Sequence, residues 1–265
     1  MNYISLIEEL KKRGSVPGLD AIEGLLEELG HPEDNLKVVH IAGTNGKGSI
    51  FAYLSSILIA AGFKVGRYIS PTISCYEERF QINGEYITKD KLARLYNIVE
   101  EAMKREEEKT GLKPTLFEVE TAISFLYFME EKVDYALIEV GMGGRMDATN
   151  VIRHPELTVI SSISYDHQAF LGDTLEEIAW QKAGIIKESC PVILSENSDE
   201  VCKVIEQEAT KKKVKCIEIE PTDYEVLSET PYGSTFLWKD QRYETKLPGR
   251  HQVSNAVTAL AASEY

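Results

Sequence analysis

Hydrophobic residues along this chain follow two alternating patterns. Short runs at residues 36–41, 64–69, 135–140, 157–163 and 191–195 read as strands, and 135–140, nearly all-apolar, has the composition of a strand buried on both faces. Between them, apolar positions return every three or four residues. Leu19, Ile22, Leu25, Leu26 and Leu29 share one helical face that Gly30 closes. Residues 50–61 form a helix-like run closed near Gly62, residues 89–109 a highly charged helix, and residues 116–130 an apolar one. Thr174-Leu175-Glu176-Glu177 is a capping box opening the helix between the last two runs. Strands alternating with helices predict an α/β fold. Its sheet is doubly wound and mostly parallel with flanking helices, and ligands sit at the carboxyl ends of the strands.

Other segments depart from that alternation. Asn83-Gly84 lies between short alternating runs over residues 79–87, the strongest hairpin signal in the chain. Residues 222–248 change texture: short strands separated by Pro231-Tyr232-Gly233 and Lys239-Asp240 predict a small antiparallel sheet near the C-terminus. The charge run at residues 104–109 reads as a solvated helix face. An amphipathic helix is expected from Met1-Asn2-Tyr3, and a last helix from Asn255 to Tyr265 that stops mid-pattern without a cap.

The chain has 265 residues, 43% of them hydrophobic, enough for one large α/β domain or one with an appendage. A net charge of −14 argues against nucleic acid or an anionic membrane as partner, so an anionic substrate needs local donors. Cys75, Cys190, Cys202 and Cys216 show no C-x-x-C spacing and read as reduced thiols of a cytosolic protein. No run approaches about 18 uncharged apolar residues, and the N-terminus is not a signal peptide. A cytoplasmic protein is expected.

Candidate chemistry centres on His40-Ile41-Ala42-Gly43-Thr44-Asn45-Gly46-Lys47-Gly48-Ser49, between an apolar run and a helix. A strand, a glycine-rich turn and a helix N-terminus form a phosphate cradle of backbone N–H groups, to which a lysine adds a mobile charge. A P-loop-type site for a nucleoside triphosphate follows. The spacing is irregular: Ile41 stands where the usual pattern has glycine, and Gly48 separates Lys47 from the hydroxyl of Ser49.

Phosphoryl transfer also needs magnesium, an oxygen-seeking ion. Ser49 is one candidate ligand. Glu139 is another, near the end of a buried strand, where a carboxylate meets either a metal or a structural Arg or Lys. Gly141-Met142-Gly143-Gly144 follows it and allows close backbone approach to a ligand. Asp166-His167 falls at the carboxyl end of the 157–163 run, placed to bind metal or substrate. Lys182 lies among Ile178, Ala179, Trp180, Ala183, Ile185 and Ile186, and is either a snorkelling surface lysine or a buried functional one.

Together these motifs resemble one family, the folylpolyglutamate synthase/dihydrofolate synthase branch of the Mur ligase superfamily. The resemblance runs in order through Pro17-Gly18-Leu19, the phosphate loop, Ser70-Pro71, Phe117-Glu118-Val119-Glu120-Thr121-Ala122 and Ile138-Glu139-Val140-Gly141-Met142-Gly143-Gly144-Arg145. It continues through Asp147-Ala148-Thr149-Asn150, Asp166-His167, Lys182-Ala183-Gly184-Ile185 and Gly249-Arg250-His251-Gln252 with Asn255. The Gly48 insertion is typical of this branch, where cell-wall ligases carry Ser or Thr.

The resemblance implies that ATP phosphorylates a carboxylate of folate or dihydropteroate, and that the amine of L-glutamate attacks the acyl phosphate. It assigns ATP to Gly43, Thr44, Asn45, Gly46, Lys47, Gly48, Ser49, Gln252 and Asn255. It assigns one or two Mg²⁺ to Ser49, Ser70, Glu139 and His167, catalysis to Lys47, His167 and Lys182, and a carbamate to Lys182. Pro71, Glu118, Thr121 and Asp166 are placed near the folate or pteroate. The family continues into a smaller domain with an Asp-Gly-Ala-His-Asn-Pro signature, which does not occur here, so residues 1–265 are expected to be the N-terminal ATP-binding domain alone, acting in a monomer. The rival readings are a ligase acting on a UDP-muramoyl peptide and a non-catalytic nucleotide-binding module.

Overall fold

All five apolar runs form strands. The computed structural model describes residues 3–14, 16 and 18–265; Pro17 of the Pro17-Gly18 motif, and Met1 and Asn2 at the start of the expected first helix, lie outside the described residues. In chain order the elements are α1 (Tyr3–Lys11), α2 (Asp20–Leu29), β1 (Val38–Ala42), α3 (Lys47–Ala60), β2 (Val65–Tyr68), β3 (Phe80–Ile82), β4 (Glu85–Tyr86), α4 (Lys89–Thr110), α5 (Leu116–Glu130) and β5 (Tyr135–Glu139). They continue as β6 (Leu157–Ile160), α6 (Gln168–Leu171), α7 (Leu175–Lys182), β7 (Val192–Leu194), α8 (Asp199–Lys212), β8 (Cys216–Glu218), β9 (Tyr224–Thr230), β10 (Gly233–Trp238), β11 (Gln241–Thr245) and α9 (Arg250–Ser263). The main sheet has eight strands and a separate antiparallel sheet has three, which is the α/β architecture expected. No described helix is long and apolar enough to cross a membrane.

The chain divides into two compact units, Met1–Val38 with Phe63–Arg153, and Val39–Gly62 with His154–Tyr265. The first holds strands in the order β4-β3-β2-β5. β2 runs parallel to β5, pairing Val65 with Tyr135 and Tyr68 with Ile138, and antiparallel to β3. Asn83 and Gly84 both take positive φ (51° and 84°), the geometry of a tight two-residue hairpin turn. Leu10, Ile22, Leu25, Leu92, Tyr96, Val99, Phe125 and Phe128 belong to one apolar core from α1, α2, α4 and α5.

One expectation holds only in part in this unit. Lys104, Arg105, Glu108 and Lys109 are exposed, as a solvated face requires, but Glu106 within the same run is not. Glu106 is 1% exposed, and a Cβ on Gly24 of α2 would lie 2.2 Å from its Oε1. Around it Arg105 binds Glu28 at 2.8 Å, and Glu107 binds Arg13 at 2.8 Å. The charges clamp α4 to α2 and to the segment just after α1, because long side chains reach over an apolar contact and pair at its rim.

The second unit holds β1-β6-β7-β8, all parallel, with Ile41 opposite Val159, Val159 opposite Ile193 and Ile193 opposite Ile217. α3 packs on α9 and α7 on α8. The antiparallel sheet β9–β10–β11 occupies residues 224–245, with Lys239 (φ 48°) and Asp240 (φ 61°) in its second turn. Tyr53 of α3 meets Thr245 Oγ1 of β11 at 2.5 Å, which holds this small sheet to the helix after the phosphate loop. The last helix starts at Arg250, earlier than the apolar pattern indicates.

Candidate active site

In the second unit the site grows from the end of β1. Ala42 closes the strand, and α3 opens at Lys47. Gly43 (φ 144°) and Gly46 (φ 85°) have conformations that side-chain-bearing residues rarely adopt, and both are closely approached. A Cβ on Gly43 would lie 1.8 Å from Ser161 Oγ, and one on Gly46 would lie 2.4 Å from Asn255 Oδ1. A Cβ on Gly48 would meet nothing within 4 Å.

The loop is stitched to the segment after β6. Thr44 N and Asn45 N both donate to Ser162 O (2.9 and 3.1 Å), Thr44 Oγ1 donates to Ser164 O at 3.1 Å, and Asn45 Nδ2 donates to Ser164 Oγ at 3.0 Å. Lys47 Nζ folds back to Gly43 O at 2.9 Å and Thr44 O at 3.3 Å.

Lys182 is buried, with 3% of its surface exposed, and its Nζ donates to the same Gly43 oxygen at 2.9 Å. The snorkelling alternative is therefore excluded. Lys182 gets there because α7 starts at a Thr174–Glu177 capping box and ends at Lys182 itself. Asn255, near the start of α9, packs on Gly46 and donates through Nδ2 to Gln252 Oε1 at 3.3 Å. Ser49 is half-buried in the first turn of α3. Asp166 and His167 lie apart from this cluster's hydrogen bonds. His167 (φ 46°) is half-exposed, its Nε2 3.6 Å from Asp166 Oδ1, and its carbonyl accepts from Phe170 N and Leu171 N at the start of α6.

In the first unit Glu139 ends β5 and is 7% exposed. Burial pulls the Arg67 guanidinium on β2 below the usual arginine range, and the Glu139 carboxylate opposes that shift. The structural partner left open by the sequence is thus present. The glycine-rich turn after Glu139 is held by Asp147, whose Oδ2 accepts from Met142 N (2.8 Å) and whose Oδ1 accepts from Thr149 N (3.0 Å) and Oγ1 (2.6 Å). Burial pushes the Asp147 carboxyl up, and these hydrogen bonds oppose it. A Cβ on Gly141 would lie 2.5 Å from the Phe117 ring.

Glu118 and Thr121 serve α5. Glu118 Oε2 accepts from Thr115 N (2.6 Å) and Oγ1 (2.7 Å) as a capping box, and Thr121 Oγ1 donates to Phe117 O at 2.8 Å. Ser70 is half-buried and precedes exposed Pro71 across a cis peptide. Sequence reasoning missed the buried group behind the loop that follows. Tyr76 donates to Glu120 Oε1 at 2.6 Å and contacts the Tyr96 hydroxyl, and Arg79 pairs with Glu120 Oε2 at 3.3 Å. Burial raises the Glu120 carboxyl, with Arg79 opposing. A second glutamate, two residues after the capping Glu118 and within a mostly apolar helix, was the available signal.

Residues 41–263 match the Mur ligase middle domain. The dihydrofolate synthase/folylpolyglutamate synthase of Bacillus subtilis is 40% identical over 261 residues, which cover 96% of this chain and 60% of that protein. The Mycobacterium tuberculosis folylpolyglutamate synthase complexed with ADP superposes with a TM-score of 0.89 at 32% identity, over 98% of this chain and 61% of that one. An FPGS–AMPPCP–folate complex gives 0.91 at 32% identity, over 100% and 67%. The chain thus spans about 60% of the length of the Bacillus relative it matches. Sequence motifs, strand order and these likenesses agree: the chain belongs to the folylpolyglutamate synthase/dihydrofolate synthase branch of the Mur ligase superfamily.

Proposed function

We propose that residues 1–265 form the ATP-binding domain of a ligase that joins L-glutamate to folate or dihydropteroate through an acyl phosphate. The observation that carries this reading is the meeting of Lys47 and Lys182 on Gly43 O beside the N-terminus of α3, with Asn255 packed on Gly46. Solved relatives bound to ADP, AMPPCP and folate support it.

In this reading the α3 N-terminus and Lys47 hold the phosphates, and Gln252 and Asn255 hold the nucleotide from the other side of the loop. Hydroxyl and carboxylate oxygens suit magnesium, and the candidate ligands that the family resemblance supplies are Ser49 and the imidazole of His167 in the second unit and Ser70 and Glu139 in the first. Bound there, magnesium neutralises phosphate charge during transfer. Lys47 Nζ and Lys182 Nζ each lie 2.9 Å from one carbonyl oxygen, so two ammonium groups would repel at about 6 Å or less in a largely dry setting. Carbamylation of Lys182 removes that conflict and supplies an anion. Pro71, Glu118, Thr121 and Asp166 are the residues that the family resemblance assigns to the acceptor. A cytoplasmic monomer without nucleic-acid or membrane partners accords with the charge of −14.

The test is ADP release by the whole protein. It should require a folate or pteroate together with glutamate, and Lys182→Ala should abolish it, with partial rescue by small organic acids. Equal ADP release without the acceptor refutes the reading. Turnover of a UDP-muramoyl peptide instead would favour the cell-wall branch, and nucleotide binding without any turnover the non-catalytic one.

A further inference from the structure

Outside the nucleotide region, one group of side chains has the makings of a metal site. His31, Glu33 and Asp34 are the one set of three His, Cys, Asp or Glu residues, among those described, whose ligand atoms all lie within 4.8 Å of one another. They sit between α2 and β1. Gly30 ends α2 in the left-handed region, His31 N bonds back to Leu26 O at 2.9 Å, and the 3₁₀ turn Pro32–Asn35 follows.

The Glu33 carboxylate is the unusual member. Its side chain is 3% exposed, its Oε1 lies 3.0 Å from His31 Nδ1, and its Oε2 is buried with no hydrogen-bond partner among the described residues. A buried carboxylate oxygen left without a donor is costly unless a cation reaches the group. Asp34 is exposed, and its backbone N–H donates to His31 O at 3.2 Å, which holds the turn that brings the three together.

We propose that His31, Glu33 and Asp34 bind one divalent transition-metal ion of the zinc type. Metal–nitrogen and metal–oxygen bonds of about 2.0–2.2 Å put ligand atoms of one sphere roughly 3 to 4.4 Å apart, so the group closes on an ion by small side-chain rotations. One neutral imidazole and two carboxylates cancel a 2+ charge. The imidazole selects zinc, cobalt or nickel over magnesium and calcium, and the exposed side leaves room for water as the remaining ligand. The ion would pin the α2–β1 connection from the end of β1 away from the phosphate loop. This site is independent of the ligase reading.

The experiment is zinc titration of chelator-stripped protein by calorimetry, with cobalt(II) absorption as a second readout. One equivalent of zinc should bind, excess magnesium should not displace it, and the melting temperature should rise on loading. His31→Ala should abolish this binding, and Asp34→Asn should weaken it at least about ten-fold. Asp34 is exposed, so the latter variant keeps the test valid if His31→Ala fails to fold. Absence of stoichiometric zinc binding overturns the proposal, because a plain His31–Glu33 ion pair predicts none. Stoichiometric zinc that survives His31→Ala, or an affinity left unchanged by Asp34→Asn, overturns it as well.

Discussion

Replacing Gly46 by alanine puts a methyl group where the phosphate loop has neither the conformation nor the space for it. The residue sits at φ 85°, and left-handed backbone costs a side-chain-bearing residue about 1 to 2 kcal/mol. The added Cβ would also lie 2.4 Å from Asn255 Oδ1, about 1 Å inside ordinary contact, so the carboxamide must swing away and give up its bond to Gln252. Those two losses predict a total of roughly 2 to 3 kcal/mol. They are separable. In an Asn255→Ala background the collision is gone, and Gly46→Ala should then cost only the conformational part. A double-mutant cycle should show about 1 kcal/mol of coupling in urea unfolding. Nucleotide titration should show affinity falling ten-fold or more in the single variant. If Gly46→Ala unfolds at the wild-type midpoint, or if the two substitutions add without coupling, the packing argument is wrong.

Other consequences are equally direct. His40 is wholly buried in β1, and burial with the nearby Lys187 charge lowers its pKa from 6.5 to about 3. A pKa depressed by folding means the neutral form is the one the fold accepts. Its stability is complete above about pH 6.5 and should fall by about 1.4 kcal/mol per unit down toward pH 3, a slope that His40→Gln should flatten in denaturation series between pH 7 and 4.5. Glu120→Ala removes a buried carboxylate and leaves half-buried Arg79 without its partner, which should cost about 3 kcal/mol in unfolding experiments, whereas a loss under 1 kcal/mol would mean the pair is solvated. Phe128→Ala, at a fully buried position, should cost about 3 to 5 kcal/mol in the same assay.

The strand framework was legible because its residues are apolar on both faces, a signal that needs no partner to interpret. The Asn83-Gly84 hairpin was legible for a similar local reason: its turn chemistry is in the two residues themselves. α8 and β8 escaped notice since α8 mixes Glu and Lys with its apolar face and β8 is a short, half-exposed strand. Glu106 was misread because a charge run reports composition, and only the packing of α2 on α4 shows which member points inward. In the site, the loop and Glu139 were readable from position along the chain. The contact of Lys182 with Gly43 was not, because the two are 139 residues apart and the bond exists only through the placement of α7. The Thr115–Glu118 capping box is local in the sequence, a hydroxyl and a carboxylate three residues apart at the start of an apolar helix.

The amides of Thr44 and Asn45 already have an acceptor in Ser162 O before any ligand arrives. That has a thermodynamic consequence. The loop's ordering entropy is spent in folding, so nucleotide capture should proceed with little further loss of chain freedom and a modest heat-capacity change. Both amides should exchange with deuterium slowly even without nucleotide, and their protection should change little on its addition. A phosphate would be left to the N–H groups from Gly46 onward, so the part of the loop that grips ligand is displaced toward the helix.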